Sequence, residues 1–112
     1  MSELQPEDHK LVVLARAAQA RTGGLEGAAL RDLDGRTYAA STVDLPALHV
    51  SAVGVVVAMA VTSGAGGAEA VVVLSKAPVD GGDLAALRDL AGEGVPVHRV
   101  DRTGTIMETT AT

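Results

Sequence analysis

"PALHVSAVGVVVAMAVTSG", residues 46–64, is the most apolar stretch of this chain, and its reading as span, strand or helix decides the fold. The apolar run from Ala47 to Val61, about 15 residues, falls short of the roughly 20 that a membrane-spanning helix needs. His49 and Ser51 interrupt it, and no basic anchors flank it, so no membrane span is expected. Its valines favour a strand, but buried strands usually run only about 4–8 residues. Asp44 is placed to cap a helix start, Pro46 fits a first turn, and Ser63-Gly64 can end the helix. Length and caps outweigh the weak preference of valine, and a helix is expected. Apolar on nearly every face, it should be buried on several sides.

The flanking segments supply the layers around it. Leu11, Leu14, Ala15 and Ala18 recur at helical spacing in residues 7–21, with Pro6, Glu7 and Asp8 at the start and "TGG" at the stop. Asp34-Gly35 can take the positive φ angles of a tight hairpin, which predicts antiparallel strands at about 26–33 and 36–41. "AEAVVVLS", 68–75, is a continuous apolar run of strand length, as in a strand covered on both faces. "VDGGDLAALRDLAGEG" places Leu84, Leu87 and Ala91 on one helix face, with Asp80 or Asp83 as its cap and Gly92 at its end. "VPVHRV" and "GTIMETT" read as two short strands around the turn "DRTG". The expected architecture is a single α/β domain over residues 1–112, three layers with one mixed sheet of about five strands.

Composition narrows the function. A net charge of −5 offers no basic stripe for nucleic acid. Tyr38 is the sole aromatic residue, so the usual stacking platform for bases or sugars is missing. Without cysteine there is no disulfide, no thiolate nucleophile and no thiolate-bound metal. The acidic N-terminus "MSELQPEDHK" does not read as an export signal, and a cytoplasmic location is expected. No Gly-x-Ser-x-Gly elbow or Ser-x-x-Lys pair is present. The glycine-rich "SGAGG" and "DGGD" lack the lysine of a phosphate loop.

"GAALRDLDGRTYAASTVD", residues 27–44, resembles the cytidine deaminase segment that reads approximately "GAALLTEDGRIYTGCNVE". It aligns without gaps through Gly27-Ala28-Ala29-Leu30, Asp34-Gly35-Arg36, Tyr38 and Val43. The order of elements is that of the cytidine deaminase fold, as is a proline after the central strand, here Pro78. The resemblance implies a zinc-dependent nucleoside deaminase, in which a His or Cys and two Cys hold Zn²⁺ and a Glu shuttles protons. The first ligand and the Glu belong at the start of the second helix. Counted without gaps from Asp44 they fall on Val53-Gly54-Val55; shifted by four residues, on His49-Val50-Ser51. The two cysteines after the family's proline fall on Val79 and Gly82. None of these placements supplies the Glu or the thiolates, so the chain reads as a degenerate member with no catalytic residue, no metal site and no cofactor.

His49 reads either as a surviving single ligand or as a first-turn helix residue, and one histidine cannot hold zinc alone. His98, on a strand, and His9, on a helix, read as surface positions. The family's ribose-gripping "Asn-Val-Glu" falls on Thr42 and Asp44, which could keep a residual sugar pocket or serve as turn and helix cap. Gly24 stands where the family tends to place a stacking Phe. Three functions follow: a catalytically inactive structural or partner-binding module, forming a homo-oligomer (dimer or tetramer); an enzyme with a relocated metal-free site at Thr42, Asp44 and His49; or a nucleoside sensor using that cluster.

Overall fold

The computed structural model describes residues 4–112; the first three residues of the acidic N-terminus lie outside it. Helix α1 spans Pro6–Thr22, with the proline in its first turn and Gly23 closing it in the left-handed conformation at φ 68°. Strands β1 (Gly27–Asp32) and β2 (Thr37–Ser41) form the expected hairpin. Strand β5 (Ala68–Leu74) lies at the sheet centre, helix α3 spans Gly81–Ala91, and β6 (Pro96–Val100) and β7 (Ile106–Ala111) follow. The sheet order is β2-β1-β5-β6-β7, with β5 and β6 parallel and the other pairs antiparallel. The mixed five-stranded sheet is thus as expected.

Strand β5 is covered on both faces, and its alternation sets the layers. Val71 and Val73 join Ala28, Leu30, Val97 and Leu87 under helices α2 (Ala52–Thr62) and α3. Ala70, Val72 and Leu74 join Leu11, Val12 and Ala15 under α1. Gly27 is required for the second contact, because a Cβ there would collide with the carbonyl oxygen of Ala15 in α1.

The stretch at 46–64 departs from its reading in two ways. Helix α2 begins only at Ala52 and ends at Thr62, and residues 43–50 form a two-stranded ribbon, β3 (Val43–Leu45) with β4 (Leu48–Val50). Asp44 therefore caps nothing; it sits opposite His49 in the ribbon, and Ser51 caps the helix. Pro46 and Ala47 make the ribbon's turn, where the fixed φ of proline suits the first corner. The signal was in the sequence: Val-Asp-Leu and Leu-His-Val alternate on either side of Pro-Ala. Secondly, only one side of α2 is buried, at Ala52, Val53, Val56 and Ala60, while Met59 and Val61 are exposed. Its five valines cost a helix at most about 0.7 kcal/mol each. Burial of Val53 and Val56 at roughly 1.5–3 kcal/mol apiece offsets that.

The β1–β2 hairpin is organised by a buried carboxylate. Asp32 Oδ1 accepts the backbone N–H groups of Asp34 and Arg36, both at 2.9 Å, and Oδ2 accepts Arg36 Nε (3.0 Å) and the Tyr38 hydroxyl (2.9 Å). Only Gly35 takes a positive φ, 82°, so the turn is not one with two left-handed residues. Burial alone would push the Asp32 carboxyl up; the hydrogen bonds from Tyr38, Arg36 and Asp34 and the Arg36 charge outweigh it and hold it below its ordinary value. Conversely, burial and the bond to Asp32 push the Tyr38 phenol up. A lowered folded-state pKa gives stability that is complete above the unfolded value and is lost as pH falls through the folded one. Thermal midpoints followed from about pH 5 to about pH 2 should therefore fall, and Asp32→Asn should lower the midpoint at neutral pH and flatten that acid limb. An unchanged acid limb in the variant would remove Asp32 from this account.

Candidate functional site

Helices α2 and α3 start close together, and a hydrogen bond joins their first turns. The Ser51 hydroxyl accepts the Gly54 N–H at 2.9 Å, capping α2, and donates to Asp83 Oδ1 of α3 at 2.7 Å. Asp80 caps α3 by accepting the Gly82 N–H at 2.8 Å. The positive ends of both helix dipoles are thereby met by the chain's own oxygens. Val53 lies within this junction, fully buried, and Val55 and Val79 pack half-buried against the same core.

The three residues singled out as a residual pocket are brought together. Thr42, Asp44 and His49 line one open cleft of about 390 Å³ beside Leu25, Glu26 and Ser51. The Thr42 hydroxyl accepts the Glu26 N–H at 3.1 Å and so ties β2 to the loop after α1. His49 Nδ1 lies 2.7 Å from Asp44 Oδ1 across the ribbon. Both side chains of that pair are more than 70% exposed, at 71% and 74%, where an ion pair contributes little. His49 is thus a strand residue with a carboxylate partner, not a first-turn helix residue. Gly24 offers the cleft no side chain, and the apolar wall comes from Val43, Val50 and Leu25, the last 77% exposed.

His98 also departs from its reading. It is buried beneath α1, with Nδ1 2.8 Å from the Thr109 hydroxyl and Nε2 3.6 Å from Asp8 Oδ2. Asp8 in turn accepts Arg31 Nη2 at 2.8 Å, so a polar cluster pins α1 to β1 and β6. Single letters spaced across 90 residues of sequence gave no sign of it; the sheet order alone joins them. His9 is exposed on α1, as expected.

A family model described as cytidine deaminase-like matches residues 4–104. This chain belongs to the cytidine deaminase-like family. The fold agrees with solved cytidine deaminases. That from Burkholderia pseudomallei superposes with a TM-score of 0.78 at 21% identity, covering 92% of this chain and 91% of the other. The Mycobacterium leprae enzyme gives 0.72 at 20% identity, over 96% and 94%. The Mycobacterium tuberculosis enzyme gives 0.72 at 22%, over 83% and 85%. No curated protein matches the sequence.

The family resemblance implies a zinc ion at the starts of α2 and α3, and the residues there do not fit one. Val53-Gly54-Val55 occupies the first turn of α2, and its side chains carry no donor atom. Val79 and Gly82 likewise carry none, and the two carboxylates at the junction are engaged, Asp83 by Ser51 and Asp80 by the Gly82 N–H. Among the described residues no three His, Cys, Asp or Glu side chains gather as a metal-binding group. No helix among them is long and apolar enough to cross a membrane.

The Ser51 hydroxyl is both cap and bridge, so Ser51→Ala should cost about 1–2 kcal/mol in denaturant unfolding. A loss below a few tenths of a kcal/mol would show that the junction rests on the valines alone.

Proposed function

We propose that this chain is a non-catalytic member of its family that acts by association, with a second copy of itself as the first partner. The observation that carries this reading is the α2–α3 junction, where valines and a Ser51–Asp83 hydrogen bond stand in place of zinc donors and a proton-shuttling Glu. Water acquires a pKa near neutrality by binding a metal, and the side chains here provide neither the metal's ligands nor the general acid/base of hydrolytic deamination. Purified protein should contain zinc far below one per chain by elemental analysis. Cytidine incubated with it should show no loss of ultraviolet absorbance above the buffer rate. Zinc near one per chain, or turnover that a chelator abolishes, would overturn the proposal.

Association is supported by what α2 and the ribbon leave uncovered. Met59 and Val61 on α2, and Leu45 and Leu48 at the ribbon tip, are 38–56% exposed. An apolar helix with one bare side is the kind of surface that a partner covers. Light scattering after gel filtration should give a dimer or tetramer, and Val61→Glu should shift it toward the monomer. A monomeric wild type at tens of micromolar would sink self-association.

A second reading rests on the cleft that gathers Thr42, Asp44 and His49. Its hydroxyl, carboxylate and imidazole suit the hydroxyls of a ribose, bound without reaction. Cytidine or uridine should then raise the thermal midpoint in proportion to the logarithm of its concentration. Absence of any shift at millimolar nucleoside would leave the associative reading alone.

A further inference from the structure

A second cavity, of about 420 Å³, opens outside the carboxyl ends of the parallel strands β5 and β6. That is where open α/β sheets place small ligands, and sites for them occupy roughly 300–1,000 Å³. It meets the Thr42 cleft at Leu25 but shares no polar side chain with it. Its wall is apolar, built by Leu25, Leu74 and Met107, of which Leu25 and Met107 are more than half exposed.

The polar groups of this cavity are spoken for, with two exceptions. Arg99 is held by Glu108 at 2.8 Å and by the carbonyls of Ser75 and Lys76. The Ser75 hydroxyl donates to the Ala77 carbonyl at 2.7 Å. The Asp101 carboxylate accepts Thr103 N–H, Thr103 Oγ1 and Thr105 N–H within its own loop. Those bonds, the Thr103 hydroxyl first, hold its carboxyl below the ordinary value. Among the described residues, the side chains of Lys76 and Arg102 make neither a hydrogen bond nor an ion pair. In a chain of net charge −5, a lining that sets Lys76, Arg99 and Arg102 against the single carboxylate of Asp101 is locally positive.

We infer that this cavity binds a small anion with an apolar body, its carboxylate or phosphate held by Lys76 and Arg102 and its hydrocarbon against Leu25, Leu74 and Met107. Arg102 can engage either anion bidentately, and Lys76 adds a point charge on a flexible stem. The inference is independent of whether the Thr42 cleft takes a nucleoside, and of whether the chain is catalytic.

Anilinonaphthalene sulfonate, an apolar body bearing an anion, tests it on the full chain. Its fluorescence should titrate to about one site per chain, and raising salt from about 0.05 to about 0.5 M should weaken binding. The double variant Lys76→Gln/Arg102→Gln, in which both altered positions are exposed, should keep its thermal midpoint and bind the dye on the order of tenfold more weakly. Neutral phenylnaphthylamine should bind wild type and variant alike. Amide shifts on adding the dye should cluster at residues 74–76 and 99–103. Displacement by octyl phosphate but not octanoate assigns a phosphate ligand, and the reverse assigns a carboxylate. Displacement by neither, equal dye affinity in the double variant, or shifts clustered instead around Met59 and Val61 would overturn the inference.

Discussion

From Ala70 to Leu74, strand β5 has water on neither face, and the rest of the molecule is arranged to keep it so. Val71 and Val73 demand cover on one side, Ala70, Val72 and Leu74 on the other, and helices must supply both. The parallel neighbour β6 adds a crossover through α3, which lands on the α2 side. Helices α2 and α3 then begin near one another, and whatever occupies their first turns must satisfy two sets of free N–H groups at close quarters. The site is a consequence of covering the sheet.

In this chain the junction is closed by short local bonds. Ser51 and Asp80 cap the helices, Asp83 bridges to Ser51, and Val53 fills the space beneath. Members of the family that hold a metal there would gain a cross-link between the helices together with a reactive water. Here a hydroxyl–carboxylate bond supplies the link alone, which is why the proposed role is associative. The apolar side that α2 leaves bare is consistent with that role.

Buried polar groups do the remaining positioning. Asp32 accepts four hydrogen bonds and so shapes the hairpin that carries Tyr38. Asp8, Arg31 and His98 perform the corresponding task between α1 and the sheet. A carboxylate in such a place is tolerated because its partners come from the same folded arrangement, and an apolar replacement would lose that direction.

Period and punctuation determined much by themselves. The continuous run at 68–75 announced a strand covered on both faces, and the glycines and prolines at 6, 23, 35 and 92 marked element ends. The stretch at 27–44 carried the family, and the residue types at 53–55, 79 and 82 showed that zinc donors are missing there. These are local properties, written in neighbouring residues. Tertiary structure alone decided that His98 is buried beside Asp8 and that Ser51 reaches Asp83 across 32 positions. Each depends on which elements the sheet order and its cover bring into contact, and contacts of long sequence separation leave no periodic trace along the chain.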